Sequence, residues 1–484
     1  MSLPPSTSTS KEDLYRLHND AALKSIVASL KPMIPICVYI ILSAAAPAMV
    51  LPIIPAQRTA YFGSDSTAMI WGSTFDSVNA LIGMFTGGLV GLASDAYGRK
   101  LVVLISAFEG CIAMAVFLIF GEQNPWPYIV VGNLACVIGS TKIGNAALGF
   151  MVVADLFEKE CRLLPTLIYV VSLFTGFVCA PIPSALGFSS TTTGIISTSI
   201  TFLVLVYVWL FFEETLPEEK RKKVSIKDLE NPLVPLKFVF RSRYLSSFAI
   251  LGATFMFPFY VSTGINMYYL KDKLGTFTNT DNGLLMATMS IAGILLLIFV
   301  LPLLTRRVNP ENIVLAGMLS MTLNAILYCL VAAPWQVFSF LSTSEAFTFL
   351  AMTMMFQMVS VTVPQNEQGV VNGTLSALKE IATISGPILG SLLYSLGKYH
   401  IDREHPFIEL PYLLSACVCI FGVSVIVLVL KPEIKRRRDI AEASQDGDSL
   451  AQSPKAPTAE YGTATTTIQV AQQQGADASL LREG

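Results

Sequence analysis

The sequence predicts an all-α membrane protein with twelve transmembrane helices in two six-helix bundles. Three observations predict it. The 484 residues are 53% hydrophobic and only 14% charged, with a mean hydropathy of +0.60, whereas a soluble domain carries about 25% charged residues. Apolar runs long enough to cross a bilayer, about 20 residues, recur along the chain. The largest polar interruption between them, residues 214–243, leaves equal numbers on its two sides. The runs are continuous rather than alternating, which favours helices over barrel strands, because lipid tolerates no open sheet edge. Two matched halves point to parallel repeats with a site between them near the midplane.

The runs justify themselves in order. A polar tail, 1–32, precedes the first, 33–54, whose end carries Pro47, Pro52 and Pro55. The second, 68–93, stops at "GLASDAYGRK", 91–100, and the third follows directly at 101–120. The fourth, 127–154, is closed by the charges of "DLFEKECR". The fifth, 163–187, contains Pro181 and Pro183, and the sixth, 192–213, ends on Glu213 and Glu214. After the linker come 245–269, 283–304, 311–333, 335–361, 370–397 and 409–431. The eleventh of these holds Gly386, Pro387 and Gly390, and the twelfth is closed by Lys431, Lys435, Arg436, Arg437 and Arg438. Prolines within or beside a run are expected to bend or end its helix. The domains expected are therefore a first bundle over 33–213, a linker over 214–243, a second bundle over 244–432 and a tail over 433–484. That tail is rich in Ser, Thr, Ala, Gln and Gly, the composition of disorder. Its "DASLL", 477–481, resembles an acidic-dileucine sorting signal with its spacer one residue short.

Lys and Arg concentrate in one set of loops, with Arg99 and Lys100, Lys159 and Arg162, the linker bases, Arg306 and Arg307, and both tails. The positive-inside rule puts that set and both termini in the cytosol. The home membrane, plasma or endosomal and vacuolar, stays open. The first 30 residues lack the short apolar core of a cleavable signal. The net charge of −2 provides no basic footprint for nucleic acid. The cysteines form no CxxC pair, and His18, His400 and His405 are scattered. No metal and no cofactor is expected. The partners expected are a small-molecule substrate, protons and the lipid bilayer, with the chain acting as a monomer.

"GLASDAYGRK" packs one acid, two bases and two glycines into the end of an apolar run. Gly91 and Gly98 allow two helix ends to approach and turn tightly. Asp95 can meet the positive end of a neighbouring helix, and Arg99 and Lys100 can snorkel to the membrane edge. The string resembles the cytosolic-loop motif of the major facilitator superfamily, G-x-L-x-D-R-x-G-R-K. Gly91, Asp95, Gly98, Arg99 and Lys100 match, whereas Ala93 and Ala96 replace the motif's leucine and middle base. "VADLFEKECR", 153–162, is similar to the family's acid-to-arginine signature, and "EETLPE", 213–218, to the close of its sixth helix. "EQGVVNGTLSALKEIATISGPILGSLLY", 367–394, is similar to tetracycline-resistance-type antiporters and hippocampus-abundant-transcript-like transporters. The resemblance, over roughly 33–431, implies that the loop is a conformational latch with Asp155 and Arg162 as partners. The fifth-run antiporter motif survives only as Gly176 and Pro181 in "GFVCAPIPSA", and Ala135 stands where many antiporters carry an arginine.

Ionisable groups inside spans cost about 2.5–3.5 kcal/mol each on insertion scales and so need a reason. Asp76, Glu109, Lys142, Glu345 and Lys379 are the substrate and proton candidates. Glu109 and Lys142 reach similar depths from opposite ends, about 12 Å and 22 Å along their helices, and could pair. Lys142 and Glu345 occupy corresponding runs of the two halves. Glu380 neighbours Lys379 but points about 100° away from it. Gly176, Pro181, Gly386, Pro387 and Gly390 are the kink candidates. No GxxxxGK[ST] string provides a nucleotide site. No HExxH, GxSxG or paired-aspartate signature lies in a span, so an enzyme is not expected. The function expected is secondary active transport of a small organic solute by alternating access, coupled to protons. The alternative is a non-transporting receptor or sensor on the same fold.

Overall fold

In the computed structural model the described residues are 31–121, 124–128, 130–131, 149, 151–153, 155–157, 163–221, 243–362, 368–401, 407–436 and 439. Among them every regular element is helical, and nine helices are long and apolar enough to cross a membrane. The first half contains α1 (Ile34–Val50), α2 (Ile54–Phe62), α3 (Asp65–Tyr97), α4 (Arg99–Phe120), α5 (Leu163–Phe177), α6 (Ile182–Ala185) and α7 (Ser190–Phe211). The second contains α8 (Arg243–Leu274), α9 (Asn279–Leu295), α10 (Leu301–Arg307), α11 (Pro310–Leu330), α12 (Pro334–Gln336), α13 (Ser342–Thr362), α14 (Gln368–Leu396) and α15 (Leu410–Val425). Most of the fourth expected run, including Lys142, and the tails over 1–30 and 440–484 lie outside the described residues.

Prolines end helices at some sites and lie inside continuing helices at others. Pro52 has no N–H to continue the ladder. The chain passes through a turn in which Ile53 N–H donates to the Val50 carbonyl at 3.0 Å. Helix then resumes with Pro55 in its first turn, where a missing N–H costs nothing. The fifth run breaks likewise. Cys179 and Ala180 donate to Gly176 and Phe177 in tight turns before α6, whose N-cap is Pro181. Pro47 and Pro387, by contrast, sit inside helices that continue past them.

Gly176, Gly386 and Gly390 are sites of close approach. A Cβ on Gly176 would lie 2.6 Å from Ala44 Cβ and from the Ile41 carbonyl of α1. One on Gly386 would lie 2.9 Å from Tyr260 Cβ, and one on Gly390 would lie 3.1 Å from the Val261 carbonyl. Small residues of this kind let membrane helices approach backbone to backbone. Here they seat α5 on α1 and α14 on α8.

Each half buries its own core. Tyr39, Ile40, Val103, Tyr169 and Val208 centre the first. The second is built on Phe248, Leu251, Phe255, Val314, Met318 and Leu350, and Leu167 and Phe174 of the first half join it. Phe174 meets Phe349 edge-on at 5.1 Å. Outward faces stay apolar, as at Phe202, Leu203, Trp209 and Leu210 of α7, which suits contact with lipid tails. Among the described residues, four five-residue π-helical turns, Leu296–Val300, Val337–Leu341, Gly397–Ile401 and Ile426–Leu430, all fall in the second half. Such turns are rare and gather at functional positions. The second of them runs directly into the helix that carries Glu345.

Candidate functional site

The charged corner between α3 and α4 turns on Gly98, whose backbone sits at φ +98°, ψ 163°. Arg99 opens α4 and is only 6% exposed, so it does not snorkel as the sequence suggested. Its guanidinium is drawn inward by acids instead. Nε donates to Asp155 Oδ2 at 2.8 Å, and Nη1 donates to Asp95 Oδ1 and Ser94 Oγ, each at 2.7 Å. Asp155 thus pairs with Arg99, and Arg162, its expected partner, lies outside the described residues. Glu214, just past α7, covers the start of α4. Its carboxylate accepts the backbone N–H groups of Arg99 at 2.8 Å and Lys100 at 3.2 Å. A carboxylate over exposed amides at a helix N-terminus is favoured by both hydrogen bonding and the helix dipole. Lys100 reaches the Trp209 carbonyl at 3.1 Å. The whole corner belongs to the first half.

At the opposite end the halves are joined. Lys271 at the end of α8 meets Asp65 at the start of α3 at 3.1 Å. Thr59 Oγ1 donates to the same carboxylate at 2.7 Å. Tyr268 Oη donates to the Pro55 carbonyl, and Ser66 and Ser395 hydroxyls meet, both at 3.4 Å. Burial alone would raise the Asp65 pKa, but the Thr59 hydrogen bond and the Lys271 ammonium outweigh it and hold the carboxyl below its usual range. Behind this contact, Arg58 lies across Gly72, where a Cβ would come within 2.2 Å of Nη1. Arg58, Asp65 and Asp76 are all within electrostatic range of Tyr268. Two further pairs, Lys398 with Asp272 and Lys273 with Glu409, tie α8 to the ends of α14 and α15.

Between these ends lie the buried acids. Glu109 on α4 is 5% exposed, and neither carboxylate oxygen has a hydrogen-bond partner among the described residues. Glu345 on α13 is 9% exposed. It faces a small cavity lined by α8, α11, α13 and α15, all of the second half. Glu380 on α14 is buried too. The Lys379 side chain, like Lys142, lies outside the described residues.

A sequence profile described as Major Facilitator Superfamily matches residues 36–382. The chain belongs to the Major Facilitator Superfamily. The chain is 23% identical over 344 residues to the Hippocampus abundant transcript 1 protein of Mus musculus, covering 69% of this chain. The match spans 66% of that relative's length, just under two thirds. The tetracycline resistance protein, class C, of Escherichia coli is 22% identical over 348 residues, covering 72% of this chain and 85% of its own. Among solved structures, the human organic anion transporter MFSD10 (TETRAN) superposes with a TM-score of 0.64 at 18% identity. That superposition covers 82% of this chain and 99% of the other, a likeness of fold.

Set in the superfamily fold, the expected latch residues Asp95, Arg99 and Asp155 come together, with Gly98 shaping their turn and Lys100 beside them. Gly91 lies on the same helix, one turn before Asp95. Asp76, like Arg58, lies within electrostatic range of Tyr268. Sequence reasoning missed Glu214, Arg58 and the Asp65–Lys271 pair. The acidic end of "EETLPE" was the one available signal for Glu214. Arg58 and Lys271 read simply as loop bases.

Proposed function

We propose that this superfamily member is a secondary active transporter that moves a small organic solute by alternating access, coupled to protons. The observation that carries the reading is the contact between the halves at the Lys271 end. It combines an ion pair, one hydroxyl–hydroxyl contact and a tyrosine reaching a carbonyl with an apolar patch where Ala68 and Met69 join Ile265 and Tyr268, contacts that can part without unfolding either half. The corner at Arg99 stays within the first half and provides a rigid body to rock against. The Arg99 end is cytosolic, as are both termini, and the membrane holds the rest.

Glu109 and Glu345 are proposed as proton carriers, because an acid buried in a bundle can exist neutral or charged at modest cost either way. Asp76, with Arg58 and Tyr268, lies where a polar solute would meet the joined end, and Lys142 and Lys379 complete the proposed charged set. The printed name of MFSD10, an organic anion transporter, makes organic anions the first substrates to try.

Proteoliposomes containing the purified chain test the reading, with uptake of a panel of organic anions and drug-like amphipaths followed with and without an imposed pH gradient. Gradient-driven uptake is expected, reduced at least about tenfold by Glu345→Gln and by Lys142→Ala. Uptake of no solute under any gradient counts against transport, and wild-type behaviour of both variants counts against these carriers.

A further inference from the structure

The cavity beside Glu345 is built from oxygen. Glu345, Asn324, Ser262, Thr348, Ser415 and Tyr412 line it among apolar side chains, and none of the described residues of the first half contributes. It has room for about one water-sized particle. The hydroxyl protons around it are already committed. Ser262 Oγ donates to the Pro258 and Phe259 carbonyls at 3.0 and 2.9 Å. Thr348 Oγ1 donates to the Ser344 carbonyl at 3.3 Å, and Ser415 Oγ to the Pro411 carbonyl at 2.9 Å. Asn324 Nδ2 donates to the Leu341 carbonyl at 3.1 Å and to Ser344 Oγ at 2.7 Å. What these four side chains keep for the cavity is oxygen lone pairs. Tyr412 is 2% exposed, and its hydroxyl makes no hydrogen bond among the described residues. No ion pair reaches Glu345 among the described residues.

This arrangement selects its occupant by chemistry. An anion is excluded by the carboxylate, and while Glu345 is ionised a neutral donor would fill the lone pairs but leave its charge unbalanced. Oxygen ligands suit hard cations, and divalent ions are ordinarily held by more carboxylate than one. We propose that Glu345 and the oxygens of Asn324, Ser262, Thr348 and Ser415 hold a single sodium ion inside the second half. The site deepens the transport reading by naming a second cation for the same acid, since sodium and a proton compete for one negative charge. Its test does not require transport.

The full chain, purified in detergent, is melted at pH 7.5 and constant ionic strength while sodium chloride replaces choline chloride. A saturable rise of several degrees in the wild-type midpoint is expected with sodium, and a smaller one with potassium. The sodium response should weaken at pH 5.5, where protons compete. Glu345→Gln should lose it while melting in choline at or above the wild type, because the unpaired charge is gone. Ser415→Ala keeps the test open should that variant fail to fold; it should raise the half-saturating sodium concentration about tenfold. A wild-type midpoint indifferent to sodium overturns the site, even if acid stabilises the protein, since that leaves only a proton. A sodium response undiminished in Glu345→Gln also overturns it. Sodium binding without solute uptake would instead retain the site and remove the transport reading.

Discussion

Gly98 is held in a region of backbone space that residues with a side chain essentially avoid. A Cβ there would also come within 2.1 Å of Glu214 Oε2. Gly98→Ala is therefore expected to cost about 1–3 kcal/mol, read as a lowered thermal midpoint in detergent. The loss should shrink when Glu214→Ala is added, because the collision goes while the backbone strain stays. Asp65 makes a prediction about pH. Its folded pKa is depressed, so its contribution is present above the unfolded value, about 3.9, and is lost as pH falls through the lower folded value. Melting the protein from pH 7 to pH 3 should show the Asp65 contribution constant down to about pH 4 and fading only below it. Asp65→Asn should lower the midpoint above pH 4 and converge with the wild type at the acid end. These residues differ in how far the sequence exposed them. Asp95, Arg99 and Asp155 sit in strings whose charge has no other business beside a membrane. Glu214 caps a helix 115 positions away, and Asp65 and Lys271 are 206 apart. No local pattern records contacts of that separation.

Whole elements were the most legible level, because a membrane imposes length and greasiness together. The described helices follow the apolar runs, with boundaries moved where prolines break or fail to break them. Pro52 and Pro181 interrupt because turn bonds stand ready on either side. Pro387 does not, since the neighbouring α8 supports a continuous α14 along the Gly386–Gly390 face. Those glycines let the backbones of α14 and α8 touch. Gly386→Leu is thus expected to wedge α14 from α8 and destabilise by about 1–3 kcal/mol. Gly83→Ala, where a Cβ meets nothing within 4 Å, should be neutral or mildly favourable. Parallel thermal melts of the two variants check both. The π turns left no mark in composition, since the same apolar residues suit either ladder.

For the molecule as a whole, the division into halves was readable from one long polar interruption, but how the halves meet was not. Their junction at the Lys271 end sets a handful of polar contacts beside an apolar patch that includes Ala68 and Met69, which invites a direct trial. Ser66 and Ser395 hydroxyls lie 3.4 Å apart, close enough for a disulfide to replace them. The Ser66→Cys, Ser395→Cys pair, once oxidised, is expected to stop solute uptake in proteoliposomes, and a reductant should restore it. Each single variant controls for the native cysteines. Uptake that persists in the fully cross-linked protein would mean that this junction need not open.

Glu214 has one more consequence. By gripping the first amides of α4 it fixes the beginning of the connecting segment to the first half, with Arg221 still beside the same carboxylate at 3.9 Å. The connecting segment beyond Arg221 reaches Arg243, and a chain of that length spans at most about 70 Å. A pull on that segment would arrive at Glu214 and the Gly98 corner first, so shortening it should be felt first as a tug on Arg99.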